Sequence, residues 1–328
     1  MSKKIIITGG AGFIGSHLAE KIYSMGHNVT IIDNFSAGNL ENLSNLKKKV
    51  KIINANIKNF KKIERYFKEV DIVFHLAALA DIVPSIQKPN DYFQSNVTGT
   101  FNILNACVLN KVKKIVYTAS ASCYGISKDL PTKENSQTNT EYPYALTKKL
   151  GEDMVLHWGK VYNLDYTSLR LFNVYGPRSR TSGTYGAMFG VFLAQKLANK
   201  PFTIVGSGNQ CRDFTYVSDV VDAFVLAGFR KEAKKEIFNV GSGIPVSINR
   251  IANLLKGKKI HIPKRPGEPF KTFADISKIK KKLKWEPRIK IEDGIEIMLK
   301  NINYWKKAPV WNSKTIRTAT KDWFKYLK

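Results

Sequence analysis

The chain has 328 residues, 43% of them hydrophobic, and its 53 Lys and Arg outnumber 26 Asp and Glu to give a formal net charge of +27. That composition excludes a disordered chain and allows one large core or two smaller ones. Cys107, Cys123 and Cys211 are too few and too far apart for a disulfide framework, and neither they nor the five histidines show the spacing of a metal site, so no metal is expected.

The opening MSKKIIITGG has only a short apolar run before glycine, too short for a secretory signal, and no later run approaches a membrane span. A cytoplasmic protein with no membrane partner is expected. Apolar runs at 4–8, 28–32, 51–55, 71–78, 113–119 and 166–171 alternate with stretches of helical periodicity such as Gly15 to Ser24 and Asn96 to Leu109. Alternating strands and helices, with strands that read as continuous Val and Ile runs, predict a doubly wound α/β domain with a parallel sheet covered on both faces. Lysine runs at 47–49 and 278–284 lie on helical stretches with no nucleic-acid motif beside them, so they are read as solvated faces and no nucleic-acid partner is expected. After Pro177 comes a loop of small residues with arginines (176–190), a helix near Val191 to Ala198, a strand at 201–205, then pieces rich in Pro and Gly. This predicts a first domain over 1–176, with return segments near 215–245, and a smaller, less regular mixed α/β substrate domain over 177–328. The closing TIRTATKDWFKYLK reads as an amphipathic helix with Trp323, Phe324 and Leu327 on one face, docked on the body or on a partner subunit.

Two motifs carry chemistry. TGGAGFIG sets Gly9, Gly12 and Gly15 between the first strand and the first helix, where a tight turn, close approach of a pyrophosphate and close helix packing are all needed. Asp33 ends the second strand at the distance where a carboxylate binds both ribose hydroxyls, and the following Asn34 and Phe35 offer no cation for a 2′-phosphate, so NAD is expected in preference to NADP. Tyr144 and Lys148 in YPYALTKKLGE have the i, i+4 spacing that shares one helix face. A phenol with an ordinary pKa near 10 becomes a base near neutrality only beside positive charge, which a lysine and an oxidised nicotinamide supply. Without the glycine motif, that pair would read equally well as an ordinary surface pair.

Together with HLAA (75–78), NVTGT (96–100), the SASCYG loop, LRLFNVYGP (169–177), RDFTYVSD (212–219), NVGSG (239–243) and RPGEP (265–269), these motifs make the chain resemble the extended short-chain dehydrogenase/reductase family over nearly its whole length, specifically its NAD-dependent nucleotide-sugar epimerases and dehydratases. The resemblance implies a Rossmann fold. It implies NAD contacts from Gly9, Gly12, Phe13, Ile14, Gly15, Asp33, Asn34, Ser36, Asn56, Ile57, Leu76, Ala77, Ala78 and Phe172, with Asn96 supporting the cofactor or the helix that carries the base. Tyr144 would take the proton of the sugar hydroxyl at C4, Lys148 would bind the nicotinamide ribose, and Ser120 would hydrogen-bond the reacting oxygen. Ser122, Asn173, Val205, Arg212, Arg265, Glu268 and Thr272 would face the substrate, the two arginines at its diphosphate. A homodimer through helices near 98–110 and 145–160 is typical of the family. The family often has an acidic residue where this chain has Asn56, whose carbonyl oxygen can still accept from an adenine amino group.

The resemblance also narrows the reaction. Similar 4,6-dehydratases carry an acidic pair that would fall on Ala121 and Ser122, and decarboxylating relatives keep a glutamate at Ser122. Neither residue here supplies a carboxyl acid or base. Cys123 sits one residue from the cysteine of 3,5-epimerising relatives and is expected to be packing. The expectation is a 4-epimerase that regenerates NAD in each cycle, the alternatives being a 4,6-dehydratase or 4-ketosugar reductase and, last, a non-catalytic dinucleotide sensor. Thr272, small at a position that is bulky in glucose-restricted epimerases, suggests room for an N-acetyl group, whereas Arg178 or Arg180 would favour a uronic acid.

Overall fold

The computed structural model describes residues 1–179 and 188–327. In chain order the strands are β1 (Lys4–Thr8), β2 (Asn28–Asp33), β3 (Lys51–Asn54), β4 (Ile72–His75), β5 (Lys114–Ser120), β6 (Asp165–Leu171), β7 (Asn173–Tyr175), β8 (Phe202–Val205), β9 (Cys211–Tyr216), β10 (Glu236–Val240), β11 (Pro245–Ser247) and β12 (Lys259–Ile262). Seven of them form one parallel sheet in the order β10-β6-β5-β4-β1-β2-β3. Parallel neighbours need crossovers, and helices supply them: Phe13–Ser24 after β1, Gly99–Leu109 after β4 and Pro143–Val161 after β5. This is the doubly wound Rossmann architecture.

The apolar strand runs follow from cover on both faces. Successive side chains on a strand point to opposite faces, so Ile5, Ile7, Ile31, Phe74 and Val116 fill one core while Ile6, Ile32, Val73, Ile115 and Tyr117 fill the other. The sheet also draws on distant sequence. Helix Val217–Phe229 shares a core with helix Phe13–Ser24 through Val220, Val221, Phe224, Leu18, Ala19 and Ile22, and it delivers β10 to the edge beside β6. The remaining strands form two small sheets, β11-β9-β7 and β12-β8, over a separate aromatic core that includes Tyr175, Phe189, Phe192, Phe202 and Trp305. Residues at or just past the carboxyl ends of β1, β2, β4 and β5 line one cleft together with Val205 and Arg212 of this second body. The order reverses between β1 and β4, where such sheets open a crevice. No helix among the described residues is long and apolar enough to cross a membrane.

Two helices differ from their sequence patterns. The stretch leading into Gly99–Leu109 is a π-helical turn at Phe93–Thr98, and Asn96 in it hydrogen-bonds to neighbouring elements rather than continuing a regular face. The closing segment is two short helices, Ser313–Ala319 and Lys321–Tyr326. They meet at Thr320 (φ −96°, ψ 8°), whose hydroxyl bonds back to the Ile316 carbonyl at 2.8 Å. The break changes the helical register, so Ile316 and Trp323 are buried while Phe324, expected on the docked face, is 43% exposed.

Candidate active site

A cleft of about 660 Å³ runs along the carboxyl ends of the strands and is walled on its far side by the second body. Its dinucleotide end begins at the β1 turn. Gly9 has φ +71°, and a Cβ there would lie 2.6 Å from the Ala77 amide nitrogen; a Cβ on Gly15 would collide with the Gly9 carbonyl. Around Gly12 only the Gly9 carbonyl comes within reach of an added Cβ, at 3.1 Å, so the backbone is open to a close neighbour. Gly12 caps helix Phe13–Ser24 with no side-chain bond, which leaves the amides of Phe13, Ile14 and Gly15 without a capping acceptor and favours an anion there. Asp33 accepts from the Ala11 amide (2.9 Å) and the Phe35 amide (2.8 Å), and its remaining lone pairs suit two ribose hydroxyls. Burial pushes its carboxyl up, opposed by those amide bonds. The Asn34 carbonyl oxygen accepts from both the amide and the hydroxyl of Ser36, and no Lys or Arg stands among the cleft residues from Asp33 to Gly38. The residues present fit NAD and offer nothing to a 2′-phosphate.

Ile57 and Asn56 line the cleft beyond this turn. The Asn56 carbonyl oxygen already accepts from the Lys58 amide at 3.0 Å, so it would have to serve a second donor to read adenine as expected. Leu76, Ala77 and Ala78 form the wall after β4. Behind them His75 is fully buried between the Thr8 hydroxyl (2.7 Å) and the Thr100 hydroxyl (3.0 Å), and burial pushes its pKa down to about 3. It is therefore a neutral pillar. Asn96 makes bonds that fit the second of the two roles expected of it, support of the cofactor or of the helix that carries Tyr144. It does not line the cleft, but accepts from the Leu79 amide (2.8 Å) and donates to the Leu79 carbonyl (3.0 Å) and the Thr147 hydroxyl (3.0 Å), tying the β4 loop to helix Pro143–Val161.

The candidate reacting centre is built on that helix. Pro143 sets its first turn, and Tyr144 and Lys148 follow on one face, both lining the cleft. Lys148 is 4% exposed, and its Nζ lies 4.4 Å from the centroid of the Tyr117 ring with no hydrogen-bond partner among the described residues. Burial pushes its pKa down to about 7, opposed by Glu152 one turn on. Burial likewise raises the Tyr144 phenol, opposed by the Ser120 hydroxyl, while the charge of Asp81 raises it further. Ser120 ends β5 and accepts from the Ser122 amide at 3.2 Å. Phe172 and Asn173 lie across the cleft. Cys123 is 2% exposed with its thiol pushed up by burial to about 12, so it supplies no thiolate.

At the other end Arg212 donates to Glu268 at 3.0 Å and to the Cys211 carbonyl at 2.9 Å. Thr272 accepts from the Asp213 amide at 3.0 Å and donates to Asn173 at 3.2 Å. Val205, Arg265 and Ser122 complete this wall. Arg178 is not part of it: its guanidinium pairs with Glu20 at 2.8 Å on helix Phe13–Ser24, and Arg180 lies outside the described residues. The structure adds residues that sequence patterns missed. Asp81, Tyr142, Gln210 and Trp323 line the cleft, and Glu152, behind Lys148, makes a buried bidentate pair with Arg170 (Nη2 to Oε2 2.8 Å). Asp81 was within reach of sequence reasoning, because a polar residue just past the carboxyl end of a strand sits where such sheets bind ligands. Among the described residues no cluster of His, Cys, Asp and Glu is placed to hold a metal.

Residues 5–241 match the NAD dependent epimerase/dehydratase family. A putative UDP-glucose 4-epimerase of Methanocaldococcus jannaschii is 36% identical over 89% of this chain and 96% of its own length. A UDP-N-acetyl-alpha-D-glucosaminuronate decarboxylase of Bacillus cytotoxicus is 33% identical over 90% of this chain and 96% of its own. Among solved structures, the UDP-glucuronic acid 4-epimerase of Bacillus cereus in complex with UDP-glucuronic acid and NAD superposes with a TM-score of 0.84 at 31% identity, covering 93% of this chain and 99% of that one.

Proposed function

The chain belongs to the NAD-dependent epimerase/dehydratase family, and from that premise we propose that it is a nucleotide-sugar 4-epimerase acting on a UDP-hexose or UDP-N-acetylhexosamine. One observation carries the reading: Tyr144, Lys148 and Ser120 line one cleft with the NAD-binding turn, while Ala121 and Ser122 beside them have no carboxyl group. NAD, held by the Gly9 to Gly15 turn and Asp33, would supply hydride acceptor and donor chemistry at C4 of the sugar and, when oxidised, positive charge. Tyr144 accepts the proton of the C4 hydroxyl and gives it back, so acid and base work stay on one oxygen. Ser120 donates to the same sugar oxygen and fixes its position. Lys148, with no hydrogen-bond partner among the described residues, offers its ammonium to ribose hydroxyls and holds charge beside the phenol. Arg212 and Arg265 take the diphosphate, for which guanidinium forks are suited.

Thr272, a small side chain in the cleft wall bonded to Asn173 at 3.2 Å, supports an N-acetyl substituent on the sugar. Arg178 gives no support to a uronate, since it is engaged by Glu20. A second reading, as a dehydratase or decarboxylase, is favoured by Asp81, a carboxylate in the cleft whose charge acts on Tyr144, and by the similarity to a decarboxylase. A homodimer is supported by exposed Phe93, Phe101, Leu109, Leu146, Val161 and Tyr162 on and beside helices Gly99–Leu109 and Pro143–Val161.

The test is incubation with UDP-glucose, UDP-N-acetylglucosamine and UDP-glucuronate, with dTDP- and GDP-sugars for comparison, followed by NMR of the products. A 4-epimer formed with bound NAD unchanged is expected. A 4-keto-6-deoxy product, carbon dioxide release or stoichiometric consumption of free NAD would overturn the proposal.

A further inference from the structure

The closing helices have no role in the chemistry above, yet Trp323 of helix Lys321–Tyr326 is 3% exposed and lines the cleft. Its indole Nε1 donates to the Pro266 carbonyl at 2.7 Å, inside the RPGEP loop. The Arg265 guanidinium lies over its ring, 5.4 Å from the centroid. The ring is also 6.3 Å from that of Tyr142, which stacks parallel to Tyr144 at 6.4 Å and 6°. The helix is anchored to the nucleotide-binding side by Gln87, which donates to Asp322 at 3.1 Å.

We infer that Trp323 is a positioning residue of the substrate site: it holds Arg265 and its loop against the cleft and joins them to the aromatic contacts that include Tyr144. The closing helices are then a wall of the substrate site. Three observations fix the direction of the effect. The Arg265 guanidinium lies over the indole ring while the residue lines the cleft, so the ring sets the orientation in which that guanidinium meets an anion. The indole hydrogen bond to Pro266 fixes the loop at the residue next to Arg265, so loss of the indole frees the backbone and the side chain together. Burial of Trp323 beside Tyr142 means that no solvent layer separates the helix from the residues flanking the base.

The inference rests on the proposed reading, in which Arg265 meets the diphosphate of a UDP-sugar, and the experiment separates the two. UDP affinity is measured by calorimetry on the NAD-loaded protein, with NAD affinity measured separately. Trp323→Ala should raise the dissociation constant of UDP and the KM of the UDP-sugar about 10-fold, leaving NAD affinity unchanged. Trp323→Phe, which keeps a ring in the same space, should cost about 3-fold and serves where the alanine variant does not fold. It carries a second readout as well: UDP should change the tryptophan emission of the wild type, and that change should be absent from Trp323→Phe. Unchanged UDP affinity in a folded Trp323→Ala protein, or an emission change that survives in Trp323→Phe, overturns the inference and leaves the epimerase reading standing. A wild-type protein that binds neither UDP nor a UDP-sugar overturns both.

Discussion

Lys148 is held where an ammonium is poorly solvated, and its pKa near 7 records the cost. Its ordinary value lies near 10.4, so between about pH 7 and pH 10 the unfolded chain keeps a proton that the folded chain has lost. Stability therefore rises with pH across that window, and below it the folded protein carries the full burden of a buried charge. Lys148→Met removes the charge and keeps the unbranched stem. In protein freed of NAD, we expect a gain on the order of 1 kcal/mol, a melting temperature higher by about 2–4 °C, at pH 6. The gain should shrink toward pH 10, and turnover should be lost at every pH. Calorimetric melting from pH 6 to 10 checks the sign; a variant less stable than the wild type at pH 6 would show that the cation–π contact with Tyr117 and the nearby Glu152 repay the burial.

At the scale of the element, helices Gly99–Leu109 and Pro143–Val161 divide their work between two sides. The inner side of Pro143–Val161 carries Lys148, Glu152 and Val155 toward the sheet, while Leu146 and Val161 face outward with Phe101 of the neighbouring helix. In the proposed dimer that outer side meets its copy. Phe101→Asp combined with Leu146→Asp should shift sedimentation from dimer to monomer at micromolar concentration while the circular dichroism spectrum is kept, and a wild type already monomeric there would remove the dimer from the account. The same helices mark how far the sequence was legible. Gly9, Gly12, Gly15 and Asp33 could be read because their demands are local, set by a turn and by the end of a strand. Tyr144 and Lys148 could be read because helical spacing alone puts them on one face. For Asn96 the sequence left two roles open, at the cofactor or at the helix that carries Tyr144, and only the bonds of its side chain to Leu79 and Thr147 choose between them. The Glu152–Arg170 pair and the contact between Trp323 and Pro266 join elements that no periodicity connects, and Phe324 was misplaced because a break at Thr320 has no strong local signal. Long-range pairing, not propensity, carries what was missed.

At the scale of the whole molecule, the charge of +27 is not concentrated in the cleft. Lys148, Arg212, Arg265 and Lys271 line it, but so do Asp33, Asp81, Glu141 and Glu268, and formal charges there balance among the described residues. The positive field thus comes from lysines spread over the surface, and its effect on a dianionic nucleotide-sugar is at long range, on encounter rather than on the bound state. Added salt shortens that range from about 30 Å at 0.01 M to about 10 Å at 0.1 M, well inside the dimensions of the protein, while hydrogen-bonded contacts inside the cleft are screened far less. Raising sodium chloride from 0.01 to 0.3 M should therefore lower kcat/KM for a UDP-sugar by about 10-fold, mostly through KM, with kcat nearly unchanged. A fall in kcat of the same size would locate the charge dependence in the bound complex, at Arg212 and Arg265, and would mean that the surface lysines do not steer the substrate.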